Sequence, residues 1–286
     1  MKHYTILYNP LSGGGHGEEN ARKIRFLLPE AQLDFADITE IGDYRLFFQQ
    51  LPPERTLILA GGDGTLNRFL NDTQGLVMEC PLLYFAAGSG NDFQRDVAEV
   101  YPEGLVPLEG YIQGLPRVRV QGREYLFLNG IGYGIDGYCC QEGDRLREKK
   151  NKAPNYTVIA IKGLLFHYKP TGAEITVDGE TKTYKKVWLA PTMHGRYYGG
   201  GMMPAPNQNR LSEDRTVSTM VFHSSGKLKT LMIFPSIFSG THIRHEDVVE
   251  VRSGQDITVR FDRPTALQID GETILNVTEY QVRAGE

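Results

Sequence analysis

A glycine-rich stretch early in the chain carries residue types that suit phosphate binding. It reads Gly61-Gly62-Asp63-Gly64-Thr65, follows an apolar run and opens a helical pattern. Glycines let the backbone approach a polyphosphate, because a Cβ atom would block the approach and restrict φ. The first N–H groups of the next helix have no internal partner and face the anion. Asp63 can hold a magnesium ion or its water, and Thr65 can cap the helix or donate to phosphate. A plain strand-to-helix turn gives the same pattern.

Two further glycine-bearing turns follow predicted strands. One reads Asn9-Pro10-Leu11-Ser12-Gly13-Gly14-Gly15, and the other reads Ala87-Gly88-Ser89-Gly90-Asn91-Asp92. Each turn taken alone also fits a flexible loop or a helix N-cap. Three polar turns at three strand ends favour one shared phosphate site. No G-x-x-x-x-G-K-[ST] pattern occurs in the chain, so this is not a Walker loop.

The elements that must position these turns alternate along the first part of the chain. Short β-rich runs are predicted at residues 4–8, 33–36, 56–60 and 82–86. Helical patterns are predicted at residues 18–28, 43–50, 65–70 and 92–97. This alternation, with strands that read as continuous apolar runs, is typical of βαβ units around a parallel sheet. Ligands of such sheets bind at the carboxyl ends of the strands, where the glycine-rich turns fall.

From about Arg117 onward the pattern changes to many short strands joined by turns. Strands are predicted at residues 118–120, 125–128, 174–177, 184–190, 217–222, 247–251, 257–261 and 266–269, with one helical insert near residues 153–166. Such spacing favours an antiparallel sandwich. The predicted fold class is α/β + all-β, with an N-terminal Rossmann-like α/β domain at residues 1–123 and a C-terminal antiparallel β-sandwich domain at residues 124–276. Residues 277–286 are predicted as a tail that can pack back on the first domain.

Composition narrows the class of protein. The chain has 286 residues, and its net charge of −4 gives no overall electrostatic reason to bind nucleic acid. Its 3 cysteines match neither a disulfide framework nor a zinc site, which favours a reducing compartment. The N-terminus shows no signal-peptide pattern, and no apolar run approaches the ~18 residues that could span a bilayer. We therefore expect a cytoplasmic protein without a transmembrane segment.

Several short motifs follow one another in an order that is typical of a known family. They are Asn9-Pro10-Leu11-Ser12-Gly13, Gly61 to Asn67, Gly88 to Phe93, Asn129 to Asp136, Gly199-Gly200-Gly201 with Pro206, Gly240-Thr241-His242 and Asp270-Gly271-Glu272. This combination resembles the diacylglycerol kinase catalytic family, in its soluble bacterial lipid-kinase branch, and sphingosine kinases share the pattern. The resemblance covers nearly the whole chain.

The resemblance implies an ATP- and Mg²⁺-dependent lipid kinase whose nucleotide lies in a cleft between the two domains. By motif matching, the nucleotide contacts fall on Asn9, Pro10, Ser12, Gly13, Thr39, Gly61, Gly62, Asp63, Gly64, Thr65, Asn67, Ser89 and Gly90. Glu272 falls on the base that deprotonates the lipid hydroxyl, and Asp63 and Asp270 are the other predicted catalytic residues. Asp63 is also the predicted ligand of the ATP-bound Mg²⁺. In phosphoryl transfer the protein mainly positions groups and neutralises charge, while a carboxylate takes the proton.

The same resemblance implies a peripheral protein that meets its lipid substrate at the membrane surface and associates with the membrane transiently. A basic run of Lys149, Lys150 and Lys152 stands beside an apolar stretch and fits either a solvated face or attraction to anionic lipid. A homodimer is left open as the state of assembly.

A second stretch resembles the carboxyl-terminal Asp-Gly-Glu motif in sequence. Ile175-Thr176-Val177-Asp178-Gly179-Glu180-Thr181 matches the pattern of Leu267-Gln268-Ile269-Asp270-Gly271-Glu272-Thr273. Asp-Gly between β-rich runs is a strong hairpin signal, so both stretches also fit simple turns. Only the order of the family motifs favours Glu272 over Glu180.

Some positions depart from the family pattern. Arg68 and Arg119 stand where relatives commonly carry acids, and the acidic stretch expected at residues 212–216 is blurred. These departures argue against the structural magnesium of relatives. A guanidinium has a fixed charge and five donors, so we expect Arg119 to pair with a carboxylate such as Asp92 or Asp214.

Three functions remain open from the sequence. The first is phosphate transfer from ATP to a lipid alcohol, most simply from diacylglycerol to phosphatidic acid. The second is a kinase of a soluble acceptor, since the G-G-D-G-T core also occurs in NAD kinases. The third is a catalytically silent regulator that binds a nucleotide or lipid. The asparagine-proline loop and the late Asp-Gly-Glu favour the first.

Overall fold

The computed structural model describes residues 2–150 and 156–285. They form two compact units that divide between Gln113 and Gly114, rather than near residue 123 as predicted. The difference arises because the strand Arg117–Val120 pairs with the strand Glu272–Arg283 of the second unit. The predicted tail at residues 277–286 belongs to that unit too, since most of it continues the same strand.

The first unit contains a mixed five-stranded sheet with helices. Its strands are β1 (His3–Tyr8), β2 (Gln32–Asp37), β3 (Thr56–Gly61), β4 (Leu82–Ala86) and β5 (Leu105–Pro107). They lie in the order β2-β1-β3-β4-β5, and only the β4–β5 pair is antiparallel. The central strands read as apolar runs and are buried, as is typical of a parallel sheet covered on both faces.

The helices of the first unit follow the strands in chain order. They are α1 (Ser12–Gly15), α2 (Gly17–Arg22), α3 (Ile24–Leu27), α4 (Tyr44–Gln50), α5 (Asp63–Asp72), α6 (Asp92–Val97) and α7 (Glu109–Ile112), with a 3₁₀ turn at Ile38–Glu40. Gly13 and Gly14 have φ values of +58° and +71°, so α1 is a left-handed turn within the loop after β1. The helices α5 and α6 begin at Asp63 and Asp92, within the two glycine-rich turns at the ends of β3 and β4.

The second unit contains a ten-stranded sheet in which every pair is antiparallel. Its strands are β6 (Arg117–Val120), β7 (Arg123–Leu126), β8 (Gly130–Tyr133), β9 (Thr171–Val177), β10 (Glu180–Val187), β11 (Thr192–Met193), β12 (Val217–Phe222), β13 (Val249–Gly254), β14 (Asp256–Ile269) and β15 (Glu272–Arg283). The predicted combination of an α/β unit and an all-β unit is therefore confirmed.

The strand β14 organises the second unit. The sequence predicted two strands there, but one 14-residue strand runs through both. Its first part pairs with β9 and its last part with β8, and the register along β15 shifts between Arg260 and Leu267. A strand that changes partner in this way turns the corner of a sandwich. Tyr133 stacks on Phe261 at 3.9 Å between ring centroids inside the resulting core.

The helices of the second unit cover this sheet. They are α8 (Ile135–Lys150), α9 (Tyr156–Lys162) and α10 (Lys227–Ile233), with a π-helix at Gly163–His167 and 3₁₀ turns at Phe234–Ser239 and Thr241–Arg244. The predicted insert overlaps α9, and its residues 153–155 lie outside the described residues. The helix α8 was not predicted from the sequence, because it contains two glycines and its apolar residues recur with only a weak helical period. No helix in the described part is long and apolar enough to cross a membrane.

Candidate functional site

The loop after β1 and the start of α5 are joined through one hydroxyl group. Asn9 Nδ2 donates to Thr65 Oγ1 at 2.8 Å, and Ser12 Oγ lies 3.1 Å from the same oxygen. The N–H of Gly62 donates to Ser12 Oγ at 3.4 Å. The first two turns predicted as phosphate loops therefore meet side by side.

The third turn reaches the second through glycine backbone. The N–H of Ala87 donates to the C=O of Gly61 at 2.8 Å. A Cβ atom on Gly88 would lie 2.4 Å from the Cα of Gly62, which no side chain tolerates. On Gly61 it would lie 2.6 Å from the Cβ of Thr65. These glycines are thus required by the close approach of the loops, and the three loops form one continuous edge, here called the three-loop cradle (residues 9–17, 61–65 and 87–92).

Asp63 fixes the third loop of the cradle. Its Oδ2 accepts the N–H of Asp92 at 2.9 Å and its Oδ1 accepts the N–H of Phe93 at 2.8 Å. The carboxylate therefore caps α6 from another element, in the place where a negative charge stabilises a helix N-terminus. Its predicted roles toward Mg²⁺ and in catalysis stay predictions.

Asn91 shapes the tip of the third loop, and the sequence did not assign it to the site. It has a left-handed φ of +53°. Its side chain brackets Gly88, accepting the glycine N–H and donating to its C=O at 3.1 Å each. Ser89 and Gly90 form the tip between these two residues. The usable signal was an asparagine after two glycines, since Asn tolerates this conformation better than other residues.

Three other predicted nucleotide contacts, Thr39, Asn67 and Pro10, have hydrogen-bond partners of their own. The N–H and hydroxyl of Thr39, just after β2, donate to Asp37 Oδ1 at 2.8 and 2.7 Å. Asn67 is buried in α5, and its Oδ1 accepts from Asn71 Nδ2 at 3.2 Å. Pro10 lies in the first loop, where its C=O accepts the N–H of Gly17 at 3.3 Å. Gly64 lies in the first turn of α5.

In the second unit, the turn before Glu272 is held by Asp270. Asp270 and Gly271 have φ values of +45° and +99°, which a two-residue hairpin of type I′ requires. The Asp270 carboxylate accepts the N–H groups of Leu128, Asn129 and Gly130 at 2.5, 2.9 and 2.9 Å. What the structure describes is thus a buried carboxylate that fixes the turn, and the catalytic role of Asp270 stays a prediction.

Gln268 ties the same turn to a buried acid. Its Nε2 donates to Asp136 Oδ2 at 3.0 Å, and its Oε1 accepts the N–H of Gly271 at 2.6 Å. A Cβ on Gly132 would lie 1.5 Å from Asp136 Oδ2, so glycine makes room for the carboxylate. Burial raises the pKa of the Asp136 carboxyl from 3.8 to about 6, against the opposing hydrogen bond from Gln268. Sequence reasoning missed Gln268, although a polar residue inside an apolar strand was a usable signal.

Glu272 is the first residue of β15 and pairs with Ile269 across the turn. Its side chain is exposed. The next residue, Thr273, donates its hydroxyl to Asp144 Oδ2 at 2.8 Å, which ties the start of β15 to α8. The structure therefore places Glu272 as an exposed carboxylate on a turn that is fixed from several sides.

Arg210 is a third residue, after Asn91 and Gln268, that the sequence did not indicate. Its guanidinium donates to the C=O of Leu128 and to Asn129 Oδ1, both at 3.1 Å. The C=O of Asn129 accepts the N–H groups of His194 and Gly195 at 2.9 and 3.0 Å. The segment held by Asp270 is thus held by Arg210 as well, and no local pattern around Arg210 indicates this.

The pair expected for Arg119 does not form with Asp214. Arg119 is exposed on β6 and makes no ion pair with the described residues of its own unit, because its neighbours Val118 and Val120 take the buried face. In the first unit, Asp92 Oδ1 lies 3.6 Å from Arg95 Nη1. Among the residues that the structure describes there is no cluster of three or more side chains that could hold a metal ion. Lys152 of the basic run lies outside the described residues, as do the side chains of Lys149 and Lys150.

Comparison with known families accounts for both units. Residues 3–115 match the family described as diacylglycerol kinase catalytic domain. Residues 129–282, more than half of the chain, match the family described as YegS C-terminal NAD kinase beta sandwich-like domain. The chain belongs to the diacylglycerol kinase family. This membership supports a kinase of the diacylglycerol and lipid kinase type, that is, a phosphotransferase.

Relatives of known sequence and structure agree with this assignment. A diacylglycerol kinase of Mycobacterium tuberculosis is 26% identical over 260 residues, which cover 87% of this chain and 82% of that protein. A diacylglycerol kinase of Bacillus subtilis is 22% identical over 289 residues, which cover 95% of this chain and 90% of that protein. The fold resembles a diacylglycerol kinase crystal structure from Bacillus anthracis with a TM-score of 0.59 and 19% identity, covering 99% of this chain and 94% of that one.

Proposed function

We propose that this protein transfers the γ-phosphate of ATP to the hydroxyl group of a lipid, most simply of diacylglycerol, to give phosphatidic acid. The observation that carries the proposal is the three-loop cradle. Two relatives that align along most of the chain are diacylglycerol kinases, which favours this acceptor.

The cradle is the proposed nucleotide site. It brings three glycine-rich strand ends to one edge of a parallel sheet, where such sheets bind ligands. The helix α5 begins there at Asp63, and its N-cap residue Gly62 supplies no side-chain cap. A helix N-terminus of this kind attracts an anion. The proposed contacts in the cradle are Asn9, Pro10, Ser12, Gly13, Gly61, Gly62, Asp63, Gly64, Thr65, Ser89 and Gly90, with Thr39 and Asn67 beside it.

Magnesium is proposed to arrive with the nucleotide. The part of the chain that the structure describes contains no cluster of three or more metal ligands. Mg²⁺ in kinases commonly takes one or two carboxylates together with the substrate phosphates. Asp63 is proposed as such a carboxylate, since it belongs to the cradle. When bound, the ion would neutralise charge that develops on the phosphate oxygens.

Glu272 is proposed to act on the acceptor. The lipid hydroxyl oxygen attacks the γ-phosphorus, the bond from that phosphorus to the β–γ bridging oxygen breaks, and ADP leaves. The hydroxyl proton passes to the Glu272 carboxylate. Asp270 and Gln268 fix the turn that precedes Glu272, so they hold the base in place while other groups bind the substrate.

A phase-partition assay tests the acceptor. The protein is incubated with ATP labelled in the γ-phosphate and with diacylglycerol in detergent micelles, and in parallel with NAD. We expect the label to move into the organic phase in the first reaction and to stay out of NAD in the second. Label in NAD would favour a soluble acceptor, and nucleotide binding without any transfer would favour a silent regulator.

The substitution Asp63→Asn tests the cradle. We expect turnover to fall about 10²-fold or more, because the third loop and the nucleotide both depend on this carboxylate and a small misplacement is costly. Asp72→Asn, at the other end of α5, is the matched control and should keep its turnover. Thermal melting of both variants separates lost chemistry from lost folding. Near-normal turnover of a folded D63N protein contradicts the assignment.

A further inference from the structure

One region of the second unit exposes apolar side chains on neighbouring helices. Phe166, Leu228 and Met232 are 73, 74 and 75% exposed, and Val158 and Ile161 are 44 and 41% exposed. Single exposed apolar residues are common, but a group of this size on adjacent elements marks an interaction surface. These five residues are here called the apolar face.

Contacts within the unit join the members of the apolar face. The helix α9 continues directly into the π-helix that carries Phe166. Lys227 Nζ, at the start of α10, donates to the C=O of Leu165 at 2.7 Å. The π-helix that carries Phe166 and the helix that carries Leu228 are therefore neighbours.

The two helices also present one side each to the surface. Val158 and Ile161 are three residues apart, and Leu228 and Met232 are four apart, so each pair lies on one side of its helix. The opposite sides are buried through Ile159 and Ile233. The exposed pairs are therefore not needed to hold these helices on the sheet.

The two stretches of chain that carry the apolar face contain basic but no acidic residues. Residues 156–173 and 215–245 contain no Asp or Glu, in a chain with 35 acidic residues and a net charge of −4. The exposed cations in these stretches include Lys162, Lys169 and Lys227. Arg263 adds a further charge, since its guanidinium lies 5.9 Å from the ring of Tyr168 and donates to the C=O of Lys169. Lys229 pairs with Asp247, so its charge is partly neutralised.

We propose that the apolar face docks this protein on an anionic lipid bilayer. Apolar side chains would enter the boundary between headgroups and acyl chains, while lysines reach the headgroups through their flexible stems. Lysines near an anionic surface add to the attraction. The inference rests on the proposed lipid kinase function, because it supplies the surface through which the enzyme would meet a substrate that stays in the membrane.

Charge argues against a second copy of the chain as the occupant. A two-fold interface brings the same patch of both subunits together. The lysines around the apolar face would then meet lysines, with no acidic residue in either stretch to pair with them. An anionic lipid surface provides the complementary charge.

Vesicle sedimentation with the full-length chain tests the proposal. The vesicles contain equal parts phosphatidylcholine and phosphatidylserine, and vesicles of phosphatidylcholine alone serve for comparison. The variant combines Phe166→Ser, Leu228→Gln and Met232→Gln. Wild type should bind the anionic vesicles, and the variant should bind them at least about tenfold more weakly, since three large apolar groups no longer enter the lipid. Added salt should weaken the binding of the wild type to the anionic vesicles.

Phe26→Ser is the matched control, because Phe26 is 85% exposed on α3 of the first unit and so does not belong to the unit that carries the apolar face. It should bind vesicles as the wild type does. Equal vesicle binding by the triple variant and the wild type overturns the proposal, and so does equal loss in the Phe26 variant. A wild-type dimer that the triple variant separates, seen by analytical ultracentrifugation, overturns it in favour of a second copy.

A water-dispersed, short-chain diacylglycerol separates docking from catalysis. The triple variant should phosphorylate this acceptor at the wild-type rate while losing activity on vesicles that contain long-chain diacylglycerol. If the wild type phosphorylates neither acceptor but binds vesicles through the apolar face, the proposed function fails and the docking surface stands. If the triple variant phosphorylates both acceptors as well as the wild type does, the docking surface fails and the proposed function stands.

Discussion

Two Asp-Gly-Glu hairpins of the second unit share a sequence pattern, a backbone conformation and a mode of support. Asp178 and Gly179 have φ values of +47° and +85°, and Asp270 and Gly271 have +45° and +99°. Each aspartate accepts backbone N–H groups from another part of the sheet. Asp178 accepts those of Gln255 and Asp256 at 2.9 and 2.8 Å through one oxygen, Oδ1.

The hairpins differ in their surroundings. Asp178 is exposed, whereas Asp270 is 8% exposed and uses both oxygens. The residue two before the aspartate is Thr176 in one hairpin, bonded to Thr181 across the turn at 2.7 Å. In the other it is Gln268, bonded to the buried Asp136. Glu180 lies 3.8 Å from Arg252. The local sequence thus determines the turn conformation. The packing around the turn determines which role the following glutamate can take.

The largest effect expected from this comparison is on catalysis. Glu272→Gln keeps the size of the side chain but removes the proton acceptor, so turnover should fall about 10²–10⁴-fold. Glu180→Gln should leave turnover unchanged. Both residues are exposed, and both variants should melt near the wild-type temperature. The measurement is the initial rate of labelled phosphate transfer to diacylglycerol, and an exchange of the two behaviours would reverse the assignment of the base.

A smaller effect is expected on stability. Asp270→Asn should lower the free energy of unfolding by about 2–3 kcal/mol, because an amide NH₂ cannot accept and leaves a buried N–H such as that of Leu128 without its partner. Asp178→Asn should change it by less than about 0.5 kcal/mol, since one oxygen can keep both bonds and Asn tolerates a positive φ. Urea unfolding of both variants provides the comparison, and equal losses would show that burial does not separate the hairpins.

The smallest effect concerns pH. Burial raises the pKa of Asp136 in the folded protein to about 6, so the folded state binds more protons than the unfolded state between pH 3.8 and about 6. The stability that Asp136 contributes is therefore complete below pH 3.8 and is lost as pH rises through about 6. Cys139 and Tyr198 face Asp136, and burial raises the pKa of both, so they stay neutral in this window.

Asp136→Asn removes this titration. Between pH 5 and pH 8 the free energy of unfolding of the wild type should fall by about 1–2 kcal/mol relative to the variant. Urea unfolding at both pH values measures the difference. Parallel behaviour of the two proteins would mean that the carboxylate beside Gln268 is not desolvated in solution. Thr176→Val is the control, because Thr176 is the residue of the Asp178 hairpin that corresponds to Gln268. This variant should keep the pH dependence of the wild type.

The sequence predicted the parts of the cradle well, and the reason is physical. Apolar runs that end in glycine-rich turns depend on neighbours in the chain, so β1, β3 and β4 and the turns after them were predicted within a few residues. Both Asp-Gly stretches were recognised as fitting hairpin turns for the same reason, since a positive φ at two successive residues is a local demand. The helix α8 was missed because Gly137 and Gly143 weaken its local signal.

What the sequence by itself determined is the set of local structures: strands that end in glycine-rich turns, and two turns with nearly the same Asp-Gly-Glu sequence. Only the tertiary structure decided the partners. The bond from Leu128 to Asp270 spans 142 positions, and the bond from Gln255 to Asp178 spans 77. Asp63 likewise caps a helix that begins 29 residues later. Such partners follow from sheet register and from burial, which no short stretch of sequence contains, because each depends on where distant strands meet.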